Sequence, residues 1–125
     1  MSSFRSFALK FAPAVLAAVA LGCGPRDGSK EFAQGKEAYE LHDLKKAERL
    51  FAASVDAAPQ DVDRLLFLAR TELELGELSK AKETVGRSAE GSAGDADVAL
   101  LKSQIAWHAK DYKAAAKGFS DIAND

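Results

Sequence analysis

The sequence has only one cysteine, Cys23, among 125 residues, so a disulfide within the chain is excluded. Its two histidines, His42 and His108, are far apart and have no thiols beside them, so the spacing of a metal site is absent. With three prolines and no run of alternating β-branched residues, the composition favours helix over sheet. The formal charge is −2 and the basic residues form no stripe, so a nucleic-acid partner is not expected.

A constellation for catalysis is also missing. The one thiol has no base beside it, neither histidine has an evident serine or aspartate partner, and there is no glycine-rich phosphate loop. Acidic pairs such as Glu72 and Glu74 are interpreted as solvated faces of a helix. We therefore expect neither an enzyme nor a bound cofactor or metal ion.

What the chain does contain is an internal repeat with a constant interval of 34 residues. Ala47, Ala81 and Ala115 follow that interval. The same register links Phe51, Val85 and Phe119, then Tyr39, Leu73 and Trp107, then Asp43, Glu77 and Asp111, and then Phe32, Leu66 and Leu100. A fixed period over three copies is typical of a solenoid made of one stacked supersecondary unit.

From residue 30 onward the apolar positions follow a helical period. Each copy of the repeat predicts two helices, with Asp43 and Asp111 as N-caps and Gly76 as a helix end. The second helix of the first copy stops before Pro59. The predicted helices cover residues 32–41 and 44–55, then 61–75 and 78–89, then 95–109 and 112–123.

This helix pair resembles the tetratricopeptide repeat family. Small residues lie midway along each first helix, the recurring alanines face them, and a bulky residue follows; the small residues are Gly35, Ala69 and Ser103. The resemblance implies an all-α, right-handed superhelical solenoid of about three repeats, near residues 28–61, 62–95 and 96–125. The sequence departs from the family pattern at Ser54 and Ser88, where alanine is usual, and at Ala93, where a second proline is usual.

The N-terminal residues are typical of an export signal. Arg5 and Lys10 precede an apolar segment, residues 11–21, that is too short to span a bilayer, which needs about 20 residues. The ending Ala20-Leu21-Gly22-Cys23 resembles the lipobox of bacterial lipoproteins, which implies a signal peptide over residues 1–22, acylation of Cys23 and a short tether over residues 23–29. Gly24 after the cysteine favours an outer-membrane location facing the periplasm. An ordinary secretory signal, or an uncleaved anchor, is the alternative.

In the resembled family the first helices line a groove that binds an extended peptide or a helix of another protein. Side chains spaced by four and then three residues share one helix face. The candidate partner-binding residues are Phe32, Lys36, Tyr39, Leu66, Arg70, Leu73, Leu100, Gln104, Trp107 and His108. Tyr39, Leu73 and Trp107 have the alternative role of packing between repeats.

The third repeat stops at Asp125, before its closing turn. We expect its last face to be covered by a partner or by a second copy in a homodimer, or the reading frame to be truncated. Taken together, the sequence predicts a lipid-anchored adaptor of the bacterial envelope. The alternatives are an adaptor without a lipid, either exported or cytoplasmic, and a self-associating structural component.

Overall fold

A computed structural model describes residues 27–91 and 95–124. In this part of the chain there are six helices and no strand. They are α1 (Ser29–Glu40), α2 (Leu44–Ala57), α3 (Val62–Glu74), α4 (Leu78–Gly91), α5 (Ala96–His108) and α6 (Tyr112–Ala123). The helices pack as three successive pairs, and each pair contacts the next. The prediction of an all-α helical-repeat fold is confirmed.

Aspartates begin four of these helices. The side chains of Asp43 and Asp111 accept the backbone N–H groups of Lys46 and Ala114, as predicted. The side chains of Asp61 and Asp95 do the same at α3 and α5. Each carboxylate thereby satisfies a backbone donor that the first turn of a helix leaves unpaired.

The turn inside each repeat uses one residue in the left-handed region. These residues are His42 with φ 60°, Gly76 with φ 80° and Lys110 with φ 64°, and they are separated by the interval of 34 residues. Glycine adopts this conformation without strain, whereas a residue with a Cβ does not. The turn geometry is therefore repeated even where the glycine is not.

Small residues set the distance between the two helices of a repeat. A Cβ added at Gly35 would lie 2.7 Å from the ring of Phe51. The recurring alanines Ala47, Ala81 and Ala115 are completely buried at the same contacts. Their predicted role in close helix packing is confirmed.

Two hydrophobic clusters form the core, and each spans two repeats. The first joint, where α1 and α2 meet α3, contains Ala38, Ala47, Phe51, Val55, Leu65 and Leu68, with Phe32, Tyr39, Leu50, Ala52 and Phe67 packed against them. The second joint, where α3 and α4 meet α5, contains Leu66, Ala69, Ala81, Val85, Val98, Leu101 and Ile105. The first helix of each repeat therefore completes the core of the repeat before it.

The predicted signal peptide over residues 1–22 and the predicted acylation site at Cys23 lie outside the described residues. Among the residues that are described, none of the helices is long and apolar enough to cross a membrane.

Candidate functional site

A pocket of about 540 Å³ lies between the C-terminal ends of α3 and α5. Its walls are formed by Arg70, Leu73, Glu74, Gly76, Gln104 and His108. Four of these residues were candidates from the sequence, namely Arg70, Leu73, Gln104 and His108. They meet here because each lies on the same face of a first helix, one repeat apart.

Two cations on this face have no charged partner. The Arg70 guanidinium lies 5.7 Å from the centre of the Phe67 ring, and the Lys36 ammonium lies 4.8 Å from the centre of the Phe32 ring. Within residues 27–91 and 95–124, neither side chain forms an ion pair or a hydrogen bond. Such cations over aromatic rings remain available to an acidic or carbonyl group of a ligand.

A hydrogen bond ties the wall of the pocket to the first repeat. The hydroxyl of Tyr39 on α1 donates to the carboxylate of Glu74 on α3. Burial, the hydrogen bond to Glu74 and the charge of Glu74 raise the pKa of Tyr39 to about 12. Tyr39 also packs against the rings of Phe51 and Phe67. The contacts with Glu74 and Phe67 join the first repeat to the second, which agrees with the packing role considered for Tyr39.

The remaining candidates divide by their exposure. Leu66 is only 6% exposed and lies in the core of the second joint, so it offers almost no surface to a partner. Phe32 and Leu73 are half-buried and pack against the first and second clusters. Leu100 and Trp107 are exposed, and the Trp107 ring meets Tyr112 edge-on at 5.1 Å.

A second depression, of about 310 Å³, adjoins the first pocket. It is lined by Gln104, Trp107, His108 and Phe119. Gln104 and His108 line both depressions, which are therefore neighbours on α5. Phe119 occupies the position of the completely buried Phe51, but it is 37% exposed. In the described residues no further helix covers it.

A buried arginine at the start of α3 was not among the residues predicted from the sequence. Arg64 is 8% exposed, and its Nη1 donates to the backbone carbonyls of Asp27 at 2.6 Å and Ser54 at 2.8 Å. Its Nε lies 3.3 Å from the Asp61 carboxylate. The equivalent positions in the other repeats are Lys30 and Val98, so the repeat pattern held no signal for this role.

An ionic cluster in the first joint was likewise not predicted from the sequence. Lys80 lies 2.8 Å from the Glu77 carboxylate and 3.6 Å from that of Glu48. Lys45 approaches the same two carboxylates at 3.7 and 3.6 Å. The interpretation of Glu72 as a solvated residue was wrong: it is 5% exposed and lies beside this cluster, because its side chain points to α2 and α4.

The cluster shifts two carboxyl groups in opposite directions. Burial raises the pKa of Glu72 above 4.5, although a hydrogen bond with Thr84 opposes this effect. The interaction with the Glu48 carboxyl group and the hydrogen bond that Lys80 donates at 2.8 Å lower the pKa of Glu77 to about 2. In the described part of the chain, these and other acidic, histidine or cysteine side chains form no group that could hold a metal ion.

Comparisons with known proteins agree with this architecture. The sequence profile described as "Tetratricopeptide repeat" matches residues 38–105, more than half of the chain. The crystal structure of the MamA protein is similar, with a TM-score of 0.68 and 18% sequence identity over 77% of this chain and 52% of that one. The chain thus spans about half the length of that structure, and at this identity the likeness concerns the fold alone. No curated protein matches the sequence.

Proposed function

The chain belongs to the tetratricopeptide repeat family, and from that membership we infer that it is a protein–protein interaction adaptor. Proteins with this fold generally act as non-enzymatic scaffolds. We propose more specifically that it is anchored to a bacterial membrane through Cys23. In this proposal a partner protein, as an extended peptide or a helix, binds along the faces of α3 and α5.

The observation that supports groove binding is the pocket at the C-terminal ends of α3 and α5. It combines an apolar wall at Leu73 with an unpaired cation at Arg70 and with the polar side chains of Gln104 and His108. A few polar groups in an apolar recess are the usual means by which a surface orients a peptide. Arginine is also among the residues that most often dominate binding energy.

Photocrosslinking in native cells tests this groove. A photoreactive residue at Gln104 should yield a discrete crosslinked product, whereas one at the exposed Ala116 of α6 should not. Arg70→Glu should reduce the Gln104 product by about tenfold or more, because it replaces the unpaired cation by a repulsive charge. Lys82→Glu, an exposed charge reversal on α4, is the matched control. Equal products from Gln104 and Ala116 would refute groove binding.

The positions of α1 and α3 determine the orientation that an anchor at Cys23 would give. The hydrogen bond from Arg64 to the Asp27 carbonyl holds the start of α1 beside the start of α3. The pocket lies at the opposite end of α3, a helix of 13 residues, or about 20 Å. A lipid on Cys23 would therefore place the pocket on the side of the domain that faces away from the membrane.

Metabolic labelling with a fatty-acid analogue tests the anchor. The parent chain should incorporate the label and fractionate with the outer membrane, and Cys23→Ala should do neither. Stable attachment needs more than one acyl chain, so the extracted protein should carry at least two. Absence of label from the parent chain would favour the alternative, an exported or cytoplasmic adaptor without a lipid.

A further inference from the structure

The first joint shows how the first helix of one repeat packs against the repeat before it. The ring of Phe67 on α3 inserts among three aromatic rings of the preceding repeat, those of Phe32, Tyr39 and Phe51. The centroid distances are 5.5, 6.3 and 5.3 Å. Aromatic rings at these separations stabilise a contact beyond the area that they bury.

The second joint uses the same place for an aliphatic side chain. Leu101 on α5 is equivalent to Phe67, and it lies in one buried cluster with Leu66 and Val85. Leu66 and Val85 are themselves equivalent to Phe32 and Phe51. Both joints therefore follow one rule: a bulky apolar side chain of a helix fills the recess on the preceding repeat.

The third repeat presents that recess without a helix over it in the described residues. Leu100, Trp107 and Phe119 occupy the positions of Phe32, Tyr39 and Phe51. Phe51 is completely buried and Val85 is 2% exposed, whereas Phe119 is 37% and Trp107 54% exposed. The depression of about 310 Å³ lined by Trp107 and Phe119 corresponds to the place that Phe67 fills in the first joint.

We propose that this recess, lined by Trp107 and Phe119 and with Leu100 at the position of Phe32, binds an amphipathic helix of a partner protein that inserts a phenylalanine or leucine between Trp107 and Phe119. The bound helix lies over α5 and α6 as α3 lies over α1 and α2. This site is distinct from the Arg70 pocket, since it requires Phe119 and needs no cation. It stands whether or not a peptide binds in that pocket.

A second copy of the chain does not supply such a helix by stacking head to tail. The residue of α1 equivalent to Phe67 is Ala33, which has no bulky side chain to insert. The positions equivalent to Leu65 and Leu68 are Glu31 and Gln34. The face of α1 that would meet the recess is therefore polar, so α1 of a second copy does not fit it.

A synthetic peptide with the sequence of residues 61–75 is the probe, because it carries Phe67 in its native helical context. The full chain should show a saturable change in the fluorescence of Trp107, its only tryptophan, when this peptide is added. A peptide with Phe67→Ser should bind at least tenfold more weakly, about 1.4 kcal/mol. Anisotropy of a labelled peptide gives a second readout that does not depend on Trp107.

Variants of the full chain locate the bound peptide. Phe119→Ser should weaken binding of the parent peptide about tenfold, while Arg49→Glu, an exposed change on α2, should leave its affinity unchanged. Circular dichroism shows whether each variant keeps its helices, and Leu100→Ser provides a second probe if Phe119→Ser unfolds. Equal binding of the two peptides, or a loss with Arg49→Glu and none with Phe119→Ser, would overturn the proposal. A dimer in sedimentation that Phe119→Ser dissociates would assign the recess to a second copy instead.

Discussion

The two joints of the solenoid share one backbone arrangement and differ in what fills it. The first joint packs the rings of Phe51 and Phe67 at 5.3 Å and adds the ionic cluster around Lys80. The second joint is aliphatic and leaves a cavity of about 350 Å³. The cavity is lined by Lys82, Val85, Gly86, Lys102, Ile105, Ala106, Ala109, Asp111 and Ala114.

The cavity lies where the first joint has its cluster. Glu72 and Lys80 of the first joint are replaced by Ala106 and Ala114 in the second, and Glu48 is replaced by Lys82. The 34-residue interval thus preserves the backbone contacts but not the side chains that occupy the space between repeats. Because repeat stability depends on contacts between neighbours, we expect the third repeat to open before the first two.

The largest predicted effect is the loss of the aromatic core in the first joint. Phe51→Ala removes a completely buried ring that contacts three others. We expect it to lower the free energy of unfolding by about 3–5 kcal/mol. Val85→Ala, at the equivalent position of the second joint, should lower it by about 2 kcal/mol. Urea denaturation followed by circular dichroism measures both.

Hydrogen exchange extends this test to single helices. In Phe51→Ala the amides of α1 to α3 should lose protection, and in Val85→Ala the loss should concentrate in α5 and α6. Equal losses of stability in the two variants would show that the joints are energetically alike. The expected difference in stability between the two joints would then be refuted.

The next largest effect concerns Arg64, which has no counterpart in the second joint. Arg64→Met keeps the apolar part of the side chain but leaves the carbonyls of Asp27 and Ser54 without their charged donor. Hydrogen bonds from charged groups contribute about 1.5–3 kcal/mol, so a loss of about 2 kcal/mol is expected. Amide exchange at the start of α1 should also accelerate. The exposed Arg49→Met on α2 is the control and should change neither.

Much of this fold could be predicted from the sequence because periodicity acts on every residue. The alanines and the N-caps Asp43 and Asp111 were identified since their roles follow from size and position alone. Arg64 and Glu72 could not be identified, because each depends on what stands opposite it in a neighbouring repeat. Leu66 was placed in the groove for the same reason: its face borders both the groove and the next helix.

The ionic cluster makes the stability of the first joint depend on pH. The pKa of Glu72 is raised by burial, so its stabilising contribution is present below pH 4.5 and is lost as the pH rises through its folded value. The pKa of Glu77 is lowered to about 2, so its contribution is lost as the pH falls from 4.5 towards 2. Unfolding free energy should therefore decline on both sides of mildly acidic pH.

Single substitutions separate these two effects. Glu72→Gln should abolish the decline in unfolding free energy above pH 4.5 and leave the decline below pH 4.5. Glu83→Gln, an exposed change on α4, should alter neither decline. If the alkaline decline persists in Glu72→Gln, the group responsible for it lies outside the cluster.

The smallest effect compares the turns inside the second and third repeats. Gly76 and Lys110 adopt the same left-handed conformation, with φ 80° and 64°, but only the glycine does so without strain. Lys110→Gly should therefore raise the free energy of unfolding by about 0.5–1 kcal/mol, and Gly76→Ala should lower it by about as much. Both changes are measured as shifts of the melting temperature. A Cβ at Gly76 would meet no neighbouring atom within 4 Å, so a loss there reports backbone strain alone. If Lys110→Gly stabilises and Gly76→Ala destabilises, the turn contributes to the difference in stability between the second and third repeats.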